Sequence, residues 1–132
     1  MMDLWQLNQN VVFISYQPFA AENSFSIISV ANPAGKLAEP GLNHCRNMAF
    51  AACLHDTSLR YRQIIGASVD LTFQEASWAV FCSRAQALQY ALAWQQNAIY
   101  WVEQGELWLL PVLLQGEPIA LGQFEQRLIL AS

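Results

Sequence analysis

Apolar and polar residues follow one another along this chain in short blocks, and the period changes from block to block. Residues 11–16 form a β-rich run that stops at Pro18. Residues 25–31 form a second, in which Ile27, Ile28 and Val30 put apolar groups on both faces, the pattern of a central strand. Asn32-Pro33 ends that run, and a loop containing Gly and Pro follows through Gly41. Over residues 42–55 the period lengthens. Leu42, Cys45, Ala49, Ala52 and Cys53 recur at spacings of three and four, which predicts a helix with those residues on its buried face. In residues 59–65, Leu59, Tyr61 and Ile65 alternate with Arg60 and Arg62, a half-exposed strand near a sheet edge. Residues 66–74 read as a loop and 76–82 as a largely apolar strand.

Ser83, with Gln86 three residues on, carries a capping-box signature and opens a second helix. Its stripe is Ala85, Leu88, Leu92 and Gln95. Residues 98–102 form a strand, Gly105 a tight turn, and residues 106–110 the returning hairpin partner. Trp101 and Trp108 flank that turn and are placed to pair across it. Residues 1–10 suit a short helix or a loose arm. The extension over residues 116–132 is ambiguous, with 124–130 fitting either an added strand or a short helix.

From residue 25 to residue 102 the order is strand, helix, strand, strand, helix, strand. This is an α+β pattern, the split βαβ arrangement of ferredoxin-like folds. It predicts an antiparallel sheet with two helices on one face, extended at its edges by residues 11–16 and 106–110. The 132 residues suit a single domain spanning 1–132.

Composition narrows the function classes. Hydrophobic residues make up 55% of the chain and charged residues 12%, so a disordered chain is excluded and some apolar surface is left exposed. A homodimer would cover such surface. The net charge is −4, and the six basic residues, Lys36, Arg46, Arg60, Arg62, Arg84 and Arg127, are scattered. They form no patch able to neutralise many phosphates, so nucleic acid is not an expected partner. The first residues lack the basic and apolar regions of a signal peptide. The apolar stretch 107–114 is too short for a bilayer and holds Pro111, so no membrane association is expected. The three cysteines have no paired-motif spacing, which fits a reducing, cytoplasmic setting.

The topology gathers polar residues at one end of the sheet. Asn32 leaves the first core strand, Asn43 and Asn47 begin the first helix, and Gly66 leaves the second strand. Glu75 and Ser77 begin the third, and Gln96 and Asn97 follow the second helix. Asn32, Asn43, Asn47, Glu75, Ser77 and Gln96 are therefore the candidate ligand-binding residues, with the amides orienting a ligand and Glu75 accepting from it. A nearby helix N-terminus would favour an anion. All of these residues but Ser77 also have a plainer reading. Asn32 before Pro33 suits a turn, Asn43 a helix cap, Asn47 and Glu75 a solvated surface, and Gln96 a helix end.

Other chemistry has little support. His44 and His55 are about three helical turns apart, too far to share an ion. No CxxC or HExxH is present, so neither a metal nor another cofactor is expected. Cys45, Cys53 and Cys82 are expected in the core. Cys82 also precedes a helix N-terminus, where a thiolate would be stabilised, although its neighbours Phe81 and Ser83 suggest burial. The tryptophans are expected to pack in the core, with an aromatic surface for a partner as the alternative. GxSxG, GxGxxG and the Walker A loop are absent.

Taken in order, several segments resemble a bacterial family known as domain of unknown function 3293. They are Val30-Ala31-Asn32-Pro33, Asn43 and Asn47, Gly66, Glu75-Ala76-Ser77, and Gln96-Asn97-Ala98-Ile99-Tyr100. The resemblance runs from about Phe13 to Leu110. It breaks at Gln95, where the family has a glycine, and the chain continues past Leu114 beyond the family's usual end. The resemblance implies no activity. It singles out the same polar residues that the topology gathers. Three functions stay open: a small-ligand or regulatory binding module, a protein-interaction module using a strand edge or aromatic patch, and an enzyme with Glu75 as general base and amides holding an oxyanion.

Overall fold

The structure is a computed structural model and describes residues 8–131. Among the described residues, eight strands and two full α-helices follow in the order β1 (Val12–Ser15), β2 (Phe25–Ile28), α1 (Pro40–His55), β3 (Arg60–Ala67), β4 (Gln74–Phe81), α2 (Arg84–Ala93), β5 (Ala98–Glu103), β6 (Glu106–Pro111), β7 (Ile119–Gln123) and β8 (Leu128–Leu130). Single 3-10 turns occupy Pro33–Gly35 and Phe124–Arg127. All strands join one sheet in the order β7-β6-β5-β2-β4-β3-β1-β8. No helix among the described residues is long and apolar enough to cross a membrane.

The β7–β8 connection forces the shape of the sheet. These strands are neighbours in sequence but occupy opposite edges. A flat eight-stranded sheet would hold its edges about 34 Å apart, from an interstrand spacing of about 4.8 Å. The five steps from Gln123 to Leu128 reach at most about 19 Å. The sheet must therefore curl, and it forms a half-barrel with Phe124–Arg127 strapped across its open side.

This overturns the ferredoxin-like expectation. β5, β2, β4 and β3 do lie side by side and antiparallel, with both helices packed on one face. The whole, however, is a mixed sheet, because β8 returns parallel to β1, pairing Phe13 with Leu128. The second face is not an open sheet surface. It is a concave trough with its own core, in which Phe13, Phe25, Ile27, Ile64, Val102 and Phe124 are buried. The cause lies in the extension after Leu114, which supplies both the strap and the parallel edge strand.

The helix-side core holds Ile28, Val30, Trp78, Val80, Ile99 and Trp101 beneath α1 and α2. The helices do not bury the stripes expected of them. In α1 the expected Leu42, Cys45, Ala49, Ala52 and Cys53 are all exposed. The inward face is instead Asn43, Arg46, Asn47, Phe50 and Leu54, at the same helical spacing but polar over its first half. Each polar member is bonded beneath the helix. Arg46 Nε donates to Val30 O at 2.7 Å and a terminal nitrogen to Trp94 O at 2.6 Å. Asn47 Oδ1 accepts from Trp78 Nε1 at 2.8 Å. In α2, Ala87 and Ala91 are buried while Leu92 is exposed, so small residues let this helix lie close to β2 and β5.

Local signals fare better. Ser83 caps α2 through the reciprocal capping box with Gln86. Gln104 and Gly105, at φ 51° and 79°, make the two-residue turn between β5 and β6, and Trp101 lies opposite Trp108. The end of α2 explains the departure at Gln95. Gln96 N bonds Ala91 O and Gln95 N bonds Leu92 O, the pair of a Schellman motif. Gln95 itself is left-handed, at φ 60°, where glycine is the easy residue.

Candidate functional site

Strand alternation decides what enters the trough. Along β4 the residues Glu75, Ser77, Ala79 and Phe81 point to the concave side, and Trp78 and Val80 to the helix side. On β2 and just beyond it, Phe25, Ile27, Ser29 and Ala31 point the same way; on β5 these are Ala98, Tyr100 and Val102. At one end the inward residues are large. At the other they are small or polar, and a cavity of about 720 Å³ remains. Its walls are mostly apolar, with Val11, Phe13 and Ile27 inside and Val69 and Phe73 at the β3–β4 loop.

Ser29, Glu75, Ser77 and Tyr100 are among the polar residues that line it. The Ser29 hydroxyl donates to the Glu75 carboxylate and accepts from Ala31 N at 3.1 Å. Burial pushes the Glu75 carboxyl above its ordinary range, and the Ser29 bond only partly offsets this. Ser77 is buried, and its hydroxyl donates to the Glu75 backbone carbonyl at 3.3 Å. Tyr100 donates to Asn8 O at 2.6 Å and packs edge-on against Phe13 at 5.1 Å. Burial first, then the neighbouring Glu75 charge, holds the phenol far above its usual range, with Arg127 opposing. Tyr100 stays neutral. Gly66, opposite Glu75 in the β3–β4 register, lines the cavity. A Cβ there would meet nothing nearer than Ser77 Oγ at 3.8 Å, so neither packing nor the backbone demands a glycine.

Of the six residues singled out from sequence, Asn32, Glu75, Ser77 and Gln96 line the cavity. Asn43 and Asn47 lie on the other side of the sheet and hold the scaffold. Asn43 is neither a cap nor a lining residue. It sits inside the first turn of α1, which Pro40 begins, and clasps Asn32 by two bonds of 2.9 Å. Asn32, at φ 47°, also accepts from Ala38 N through its side chain. Gln96 ties Ala31 O and Trp94 O, each at 3.2 Å. Sequence reasoning passed over Ser29 and Tyr100, which sat inside runs read as core strands. Strand period was the available signal, since Ser29 is two residues after Ile27 and Tyr100 two before Val102.

The anion reading is corrected. The N-terminus of α1 does not line the cavity, and the charged side chains among its described lining residues are Asp70 and Glu75. The cysteine reading is corrected too. Cys45 and Cys53 are exposed, because the face of α1 that carries them points outward. Cys82 is half-buried, and burial raises its thiol to about 11, the opposite of an activated thiolate. Among the described residues, no three of His, Cys, Asp and Glu converge on a place that could hold a metal.

The segment that builds this site is also the segment that relates the chain to others. The family of proteins of unknown function DUF3293 matches residues 28–99, more than half of the chain. The chain belongs to the DUF3293 family. No curated protein and no solved structure matches it. The DUF3293 segment carries Ser29, Asn32, Gly66, Glu75, Ser77 and Gln96, so most of the cavity's polar wall lies inside it. The strap and β8, which curl the sheet, lie outside.

Proposed function

We propose that this DUF3293 protein is a small-ligand-binding module whose site is the trough cavity. The observation that carries the reading is a cavity of about 720 Å³ with mostly apolar walls and a set of polar side chains that includes Glu75, the size and character of a small-molecule site. Glu75 and Ser77 orient the ligand, and the neighbourhood of Asn32 and Gln96 forms the rim. A cytoplasmic setting is part of the proposal, supported by the free, exposed Cys45 and Cys53.

A second reading is an enzyme in which Glu75 moves a proton. It draws support from the elevated Glu75 carboxyl, since catalytic acids and bases are tuned by burial in this way.

The test is a thermal-shift screen against a metabolite library, with wild type beside Gly66→Leu. The leucine grows from a position with space around its Cβ, so the variant should melt within a few degrees of wild type while its cavity is filled. Compounds that stabilise wild type but not the variant are expected. Compounds that stabilise both equally would place binding elsewhere and end this reading.

A further inference from the structure

We propose that the cavity selects an amphipathic organic cation, an amine on an apolar body, with its ammonium against Glu75 and its body along Phe13, Ile27 and Phe73. The proposal rests on the binding-site reading above and names the ligand class. The sign of the charge in the cavity carries it, together with the apolar walls.

No Lys, Arg or His lines the cavity among the described residues; the charged side chains there are Glu75 within and Asp70 at the rim. A buried anion would find no countercharge, and burying an unpaired charge is costly. Two of the donors that line the cavity are already engaged with the protein. The Tyr100 proton lies on Asn8 O, and the Gln96 amide on Ala31 O and Trp94 O. What faces the cavity from Glu75 is a carboxyl group, and its ionised form calls for a donor-rich, positively charged head group. The apolar walls call for hydrocarbon behind it.

The surroundings of Glu75 make pH a sharp discriminator. Ser29, just after β2, contributes its hydroxyl and β5 the neutral Tyr100. The β3–β4 loop contributes Asp70, exposed and held ionised by bonds from Ser68 and Thr72. Arg127 is bound to Gln9, Val11 and Leu121 carbonyls and acts on Tyr100. Val11 just before β1, Phe13 of β1, and Ile64 and Gly66 of β3 face the trough as well, none of which titrates. A cation needs Glu75 ionised, so its binding expels the carboxyl proton and tightens as pH rises. A carboxylate ligand would need Glu75 protonated and would weaken.

The experiment is an NMR titration of the full chain with phenylbutylamine, phenylbutanol and phenylbutanoate, near pH 5 and near pH 8, for wild type and Glu75→Gln. Expected are shifts of cavity amides with the amine and an affinity above that of the alcohol. The amine Kd should rise toward about tenfold per pH unit below the Glu75 pKa. In Glu75→Gln the amine-to-alcohol affinity ratio should fall to about one. An alcohol or carboxylate that binds as well as the amine, or an amine that binds better in acid, overturns the ligand class and leaves the site standing. No shift of cavity amides with any of the three overturns the binding-site reading and this inference together.

Discussion

At one end of the trough, β2, β4 and β5 bring Phe25, Phe81 and Val102 inward, and Phe19 and Phe124 close over them. Farther along the same strands the inward positions hold Ser29, Ser77 and Ala98, and the space stays open. Phe19 stacks on Phe25 at 4.6 Å, and Phe124 meets Phe25 edge-on at 5.3 Å. Arg62 lies 4.5 Å over the Phe19 ring as a cover. A cleft of about 110 Å³ lies beside this cluster, against about 720 Å³ at the polar end. Alternation sends side chains into the trough at both ends alike. Their size decides which end becomes core and which an open cavity.

The comparison assigns stability to the ring end, and the largest expected effect tests that assignment. Phe124 is buried, contacts Phe13, Phe19 and Phe25, and sits on the strap that joins the two sheet edges. Phe124→Ala should cost about 3–5 kcal/mol in urea unfolding, from lost burial and the cavity left behind. A loss below about 1 kcal/mol would mean that the rings do not hold the half-barrel closed.

Next come the residues that hold the polar end from behind the sheet. Asn47→Ala would leave the indole N–H of Trp78 without its partner, and Trp78 is buried. The expected cost is about 1–3 kcal/mol, with ligand affinity at the cavity little changed. Lost binding at full stability would instead return Asn47 to the site and blur the division between scaffold and cavity.

The legible parts of this molecule were local. Ser83 with Gln86, and Gly105 between two strands, name their structures within a few residues. The polar face of α1 was not legible, because Asn43, Arg46 and Asn47 resemble solvated residues until Asn32, Val30, Trp94 and Trp78 arrive beneath them from distant sequence. The curl was hidden for the same reason, since it depends on β7 and β8 meeting opposite edges. The candidate site was half legible. Chain order gathered Asn32, Glu75, Ser77 and Gln96, but order alone does not distinguish the two sides of a sheet, so Asn43 and Asn47 were drawn in and Ser29 and Tyr100 were passed over.

A smaller effect lies at the corner beneath the cavity rim. Gln95 holds a left-handed backbone that closes α2 and whose carbonyl accepts from Ala34 N at 2.6 Å. Gln95→Gly should raise stability by about 1 kcal/mol at most, because relief of strain is partly offset by the freedom glycine gains when unfolded. A drop in melting temperature would show that the glutamine side chain contributes more than its backbone costs.

The smallest effect concerns what the open end costs. Burial raises the folded-state pKa of Glu75 above its ordinary value of 4.5, so the folded protein holds this proton more tightly than the unfolded chain does. From Glu75 alone, stability is greatest below the unfolded pKa and is lost as pH rises through the folded one. Glu75→Gln removes that loss. The variant should therefore melt above wild type near pH 8, and the gap should close as pH falls toward 4. A gap that widens in acid would mean that the Ser29 bond outweighs burial. The carboxylate would then stabilise the trough instead of straining it, and the two ends would differ in shape but not in the cost of keeping one of them open.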